Sequence, residues 1–371
     1  MYDLSKHPYF TEWIDPESGA RSFVLTKKIA PIQQSFYFTN SSLSADEKYL
    51  WFSAIYLPSP ITSHMLGVVS LDPENPFIQV FPETVFTDHS PLVTPEGNGV
   101  YYCQQNYIWL FRLGYPIEKV CEIDRKYIAG RYLFRSATHL TLSADKKYLL
   151  IDGQVGNQWF VSIGDLQTGK VEIINEFPRM YNHAQFSPTD PKLFSMAQDW
   201  WLDPITGRQT LYDQRIWVMD TEKTFCYPIL PRDWVFHGSN ACHEWWSKDG
   251  KMCWTDYDLG AFCFDIKTEE KEHVWKRPLC HTHCDSTRRY WCADQSPYRW
   301  EKTPCQILYY DAETQKESII ASGLPLPPWS HQAYHLDPHP QFSPQDNYIV
   351  YTTTVAEGVT VALCPVEQFR E

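Results

Sequence analysis

Five histidines recur at one register of a repeated pattern: His139 (HLTLS), His183 (HAQFS), His243 (HEWWS), His281 (HTHCD) and His339 (HPQFS). Asn40 and Ser90 hold the same register earlier in the chain. One histidine at the start of a strand is explained by a hydrogen bond to neighbouring backbone; five in register point to a shared site. Gathered round a common axis, protonated imidazoles would repel one another, whereas neutral ones could share a metal ion. The stretch HQAYHLDPHP adds His331, Gln332 and His335 to His339 within nine residues, on what Asp and Pro mark as a loop. Imidazole suits Mn, Fe, Ni or Zn, a Gln carbonyl oxygen favours the harder ions, and geometry decides among them.

Two further segments carry reactive groups. Arg215, in the run YDQRIW (Tyr212–Trp217), offers a guanidinium that can fork onto a carboxylate, or pair at the surface with Asp213. The segment CHTHC (Cys280–Cys284) offers thiols and imidazoles to zinc, but no second paired cluster lies at finger-like spacing, so a structural zinc site is not expected there.

A seven-fold repeat positions these residues. Its unit is an apolar residue, Ser/Thr-x-Asp/Glu or a close variant, a basic or small residue, and an aromatic or β-branched run. It appears from Leu43 (LSADEKYLWF), Val93 (VTPEGNGVYY), Leu142 (LSADKKYLLI), Phe186 (FSPTDPKLFS), Trp246 (WSKDGKMCWT), Cys284 (CDSTRRYWCA) and Phe342 (FSPQDNYIVY). The spacing averages roughly 50 residues, the scale of a four-stranded propeller blade. Each copy reads as a strand end, a tight turn and the next strand; FVSIGD (Phe160), QRIWVMD (Gln214) and QILYYD (Gln306) supply further strands. The expected fold is therefore all-β, a seven-bladed β-propeller spanning residues 1–371 as one domain. Only 28 residues follow the seventh FSP motif's serine, too few for a full blade, so the segment Ala20–Lys28 (ARSFVLTKK) is expected to supply the missing outer strand and close the ring.

Composition agrees with many short aromatic strands: 371 residues carry 15 Trp, 23 Tyr and 20 Phe, with 21% charged residues and 27 Pro against 16 Gly. The formal charge of −13 disfavours nucleic acid and anionic membranes, and there is no Lys/Arg run to override it. No signal-like start and no 18-residue apolar stretch are present, and eleven irregularly spaced cysteines suit reduced thiols, so a cytoplasmic location is expected. The oligomeric state is not legible in the sequence.

The strings HEWWSKDGK and CHTHCDSTRRYWCAD, then Q-x-x-H…HPQFSP, preceded by QRIW, resemble the oligogalacturonate lyases, seven-bladed propeller enzymes of pectin breakdown. The resemblance is closest from His183 to Tyr351; earlier the match is mainly one of blade repeats. It implies a lyase acting on a short acidic oligosaccharide, with manganese as the divalent metal. It also implies His243 as the base, Arg215 as an assisting cation, and His281, Gln332, His335 and His339 as metal ligands. One departure stands out. The family separates its last two histidines by a single residue, whereas Leu336, Asp337 and Pro338 intervene here, which leaves His335, His331 and Asp337 as alternative occupants of one ligand position. The departure also allows a different uronide as substrate.

Two other readings remain at this level. A non-catalytic propeller scaffold shares the FSPxD-type turns and would hold no stoichiometric ion at its axis. A lyase or hydrolase for another acidic sugar would keep the metal cradle and alter the loops, among them DWWLDPITGR (Asp199–Arg208), which suits either sugar stacking or packing.

Overall fold

The computed structural model describes residues 2–58, 64–86, 88–202, 206–210, 214–229, 241–326 and 337–370. Seven antiparallel sheets follow one another along the chain, giving the seven-bladed propeller that the repeat predicts. In blade 1 the strands Ile32–Gln34, Tyr49–Ile55, His64–Ser70 and Ile78–Phe86 pair in chain order, and blades 2, 5 and 6 repeat this meander. Blade 3 takes an extra strand, Leu133–Ser136, on the end of Tyr148–Val155. Blade 4 carries a small hairpin, Trp201–Leu202 with Gln209–Thr210, between its second and third strands.

The repeat motif is a turn with one recurring chemistry. In blades 1, 3 and 7 the serine hydroxyl (Ser44, Ser143, Ser343) accepts from two backbone N–H groups of the returning strand. The residue three positions after that serine, or after its counterpart, is left-handed in six blades: Glu47, Gly97, Lys146, Gly250, Arg288 and Asp346. Blade 4 inserts Pro191 and has no left-handed residue at that place. The outer turns DLQTGK, DIKTEE and DAETQK are fixed likewise, Asp165, Asp265 and Asp311 each accepting from the N–H groups two and three residues on.

Closure is as expected, with an addition. Arg21–Leu25 pairs with Thr360–Pro365 in blade 7, Phe23 opposite Leu363 and Val24 opposite Ala362. Phe10–Ile14 then adds a fifth, outermost strand, and the Asp15 carboxylate accepts from the Ser322 N–H of blade 6 at 2.7 Å. Seven apolar clusters fill the wedges between neighbouring blades. Their largest fully buried side chains include Trp51, Trp254, Trp275 and Trp291, which is where the high aromatic content goes. Burying each such side chain contributes on the order of 1.5–3 kcal/mol. All eleven cysteines are free thiols.

Gly260 has very little room. Its φ is +114°, and a Cβ there would lie 1.9 Å from the Trp275 carbonyl oxygen across the sheet. Gly260→Ala is expected to cost at least about 3 kcal/mol, read from the denaturant midpoint. Gly114→Ala, at φ +79° with open space around it, is the comparison and should cost about 1–2 kcal/mol.

Candidate metal centre and reactive cleft

The five histidines meet at the axis in two groups separated by Tyr37. On one side His139 Nε2 and His183 Nδ1 lie 3.0 Å apart. On the other, the ring of His281 stacks on His243 at 4.0 Å between centroids and meets His339 edge-on at 4.2 Å. Tyr37 stacks on His139 at 4.7 Å and contacts His89, His183, His281 and His339 as well. It is buried, and burial together with the Glu244 charge pushes its phenol far up, so it is a neutral plug.

Three of the histidines share a backbone device. His183, His243 and His339 have φ of +53°, +50° and +47°, a left-handed conformation that costs a non-glycine residue about 1–2 kcal/mol. At His183 and His243 it coincides with a bulge in the innermost strand, between Asn182 and Gln185 and between Cys242 and Trp245. A bulge re-aims the side chain it carries, and here it accompanies imidazoles that meet at the axis.

Asp294 organises the metal-competent side. Its Oδ1 accepts from the His281 backbone N–H at 2.8 Å, and both carboxylate oxygens lie 3.0–3.1 Å from His281 Nδ1. A carboxylate accepts only, so Nδ1 carries the hydrogen and Nε2 keeps its lone pair for a ligand. Asp294 Oδ2 also accepts from the His339 N–H at 3.3 Å. One donor atom each from His281, Asp337 and His339 lies within 4.8 Å of the others. Burial, and then the Asp294 charge, holds the Asp337 carboxyl well above the usual carboxylate range. Two imidazoles and a carboxylate, with a second carboxylate behind them, fit a divalent cation that takes N/O ligands and leave coordination positions for substrate. Gln332, His335 and His331 lie outside the described residues; of the described residues of that stretch, Asp337 and His339 reach the cluster.

The second triplet, His243, Cys280 and His281, is less suited to an ion. Burial and the Asp294 and Asp337 charges push the Cys280 thiol far up, and His243 Nδ1 faces the Cys280 carbonyl oxygen at 3.1 Å. That carbonyl accepts only, so the lone pair of His243 is on Nε2, which faces the Tyr257 hydroxyl at 3.3 Å. The two cysteines of CHTHC serve different places, since Cys284 packs in the wedge between blades 5 and 6. His283 is structural: its Nδ1 accepts from the Phe342 N–H at 3.1 Å, and burial lowers its pKa to about 3.

Arg215 is buried between two carboxylates. Nε and Nη2 donate to Glu244 at 3.2 and 3.4 Å, and Nη1 lies 3.0 Å from Asp199 Oδ1. Burial disfavours this cation, but Glu244 and Asp199 outweigh it and Arg215 stays charged; Asp213 lies outside the described residues. Burial, then the Arg215 charge, holds His183 well below the usual range, hence neutral. A cleft of about 710 Å³ opens beside this group, lined by His89, Arg135, His183, Asp199 and Trp200 among others. Exposed Tyr132 and Phe134 stand at its rim, and Arg135 pairs with Asp88 at 3.1 Å.

Several site residues escape a reading of the sequence. His89 directly precedes the register position Ser90, and Tyr37 lies three residues before Asn40, so both were near the marked register. Asp294 occupies the strand position that Asp152 holds in blade 3, where Asp152 likewise accepts from a backbone N–H, that of Thr138. Nothing in the spacing marks Tyr257.

No protein-family model matches the sequence, and no curated protein is significantly similar to it. Among solved structures, the fold is similar to an oligogalacturonate lyase in complex with manganese, with a TM-score of 0.76, 16% identity and 96% of each chain covered. It is also similar to an oligogalacturonate lyase from Vibrio parahaemolyticus, with a TM-score of 0.78 and 15% identity over 97% of this chain and 98% of that one. At such identities the likeness is one of fold.

Proposed function

We propose that this chain is a metal-dependent lyase that cleaves short oligouronides, oligogalacturonides or a related uronide, by β-elimination. What supports this reading most is one juxtaposition: His243, with its Nε2 lone pair directed away from the Cys280 carbonyl, stacks 4.0 Å from His281, which Asp294 orients beside Asp337 and His339. A base thus stands next to a cation site.

The proton on C5 of a uronate lies α to its carboxylate and is a poor acid, because its removal adds charge to an anion. A divalent metal held by His281, His339 and a third donor from the Gln332–Asp337 loop, manganese in this reading, would neutralise that carboxylate and stabilise the charge forming beside it, worth several kcal/mol. His243 Nε2 takes the C5 proton. Elimination across C4–C5 then expels the glycosidic oxygen and leaves an unsaturated uronate. Arg215, already shared by Glu244 and Asp199, has N–H groups beyond its three bonded ones for a substrate carboxylate. A divalent ion at His281 and His339 would offset part of the repulsion between an acidic substrate and a chain of net charge −13, while Arg215, already balanced by Glu244 and Asp199, would contribute directed N–H donors. A cytoplasmic location, in keeping with eleven free thiols, belongs to the same proposal.

The test is incubation of manganese-loaded protein with a panel of short uronides, followed by ultraviolet absorbance of the unsaturated product and by mass. Chelation should reduce the rate to background, and added manganese should restore it. Full activity after complete metal removal would contradict the reading.

A further inference from the structure

Tyr257 stands where a second proton-transfer group is needed. It follows the strand Met252–Asp256 of blade 5, in a turn fixed by Asp256, whose carboxylate accepts from the N–H groups of Asp258 and Leu259 at 3.0 and 3.1 Å. Its hydroxyl lies 3.3 Å from His243 Nε2, with the two rings edge to face at 5.3 Å and 88°. Since His243 Nδ1 gives its hydrogen to the Cys280 carbonyl, the hydrogen between Nε2 and Oη belongs to the tyrosine. The Arg299 guanidinium sits over the Tyr257 ring, 3.7 Å from its centroid. Burial, helped by the neighbouring Cys242 and Cys280, keeps the phenol protonated at neutral pH.

We propose that Tyr257 is the acid that protonates the leaving oxygen, and that His243 and Tyr257 act on the same face of the sugar. Substrate displaces the tyrosine hydroxyl from Nε2. His243 Nε2 removes the C5 hydrogen as a proton, the C5–H electron pair becomes the C4–C5 double bond, and the C4–O4 bond breaks with its pair on oxygen. Tyr257 gives its proton to that oxygen. The imidazolium then returns its proton to the phenolate across their hydrogen bond, so both groups are reset and no external proton is consumed. Arg299 offsets the phenolate's charge in the interval.

The short separation constrains the substrate. Two groups 3.3 Å apart cannot reach opposite faces of a pyranose ring, so they serve a hydrogen and an oxygen on one side of the C4–C5 bond. In 4-linked glucuronate or mannuronate O4 is equatorial and can be brought to the same side as H5. In galacturonate O4 and H5 are both axial and opposed. This inference rests on the lyase reading and narrows it to uronides with an equatorial O4.

The experiment compares wild type with Tyr257→Phe on three substrates: a 4-linked glucuronosyl oligosaccharide, the matching oligogalacturonide, and a 4-deoxy-4-fluoro glucuronide, whose fluoride departs without an acid. Wild type should prefer the glucuronosyl over the galacturonosyl substrate. Tyr257→Phe should lose about 10²–10⁴-fold in kcat on the glycoside, with metal content unchanged and fluoride release within about tenfold. Equal losses on glycoside and fluoride would make Tyr257 a positioning residue and overturn its role as acid. A wild-type preference for the galacturonide would overturn the same-face geometry while leaving the lyase reading intact, and it needs no variant to fold. Absence of unsaturated product from any uronide would overturn both.

Discussion

His281→Ala is expected to abolish binding of a divalent ion at the axis and reduce turnover to background. In the proposed site His281 would supply a ligand from the start of the innermost strand of blade 6, and Asp294 fixes which of its nitrogens carries the lone pair. Asp294→Asn tests that second point separately. An amide in place of the carboxylate removes the strongest acceptor for Nδ1–H and the acceptor for the His339 N–H, so both histidines lose their orientation. Loss of such a supporting carboxylate costs about 10–100-fold in metal affinity. Titration of metal-free protein with manganese should therefore give no binding for His281→Ala and a weakened, still stoichiometric site for Asp294→Asn. Wild-type affinity in either variant would place the ion elsewhere.

His243→Ala should separate chemistry from binding. The residue meets the cluster through the face of its ring on His281, and its Nδ1 is committed to the Cys280 carbonyl. Removing it should lower kcat by about 10²–10⁴-fold, the range for loss of a general base, while one ion per chain remains. Metal content and kcat measured on the same preparation read both halves. If His243→Ala cleaved every uronide tested at the wild-type rate, the base would have to be sought elsewhere.

The architecture was legible because its turns are local. Ser44, Ser143 and Ser343 bind N–H groups four or five residues ahead, so each motif carries its own cause and can be counted along the chain. The closing strand could be inferred from the shortfall in blade 7, but Phe10–Ile14 could not, because as the outermost strand it buries only Phe10. The histidine register likewise foretold that His139, His183, His243, His281 and His339 share the axis, though not that His89 joins them. It did not foretell that Tyr37, in the connection between the first two strands of blade 1, divides them into two groups. Nor could spacing pair Arg215 with Asp199 across blade 4, or with Glu244, a partnership that depends on how blades 4 and 5 face each other. Contacts set by the packing of distant blades leave no periodic trace in sequence.

The most direct measurement is anomalous X-ray scattering from crystals grown with manganese. One strong peak per chain, bonded to His281 and His339 and absent from His281→Ala crystals, is the predicted result. No peak at the axis under saturating manganese, in protein that remains folded, would contradict the metal-dependent chemistry on which the proposed activity depends.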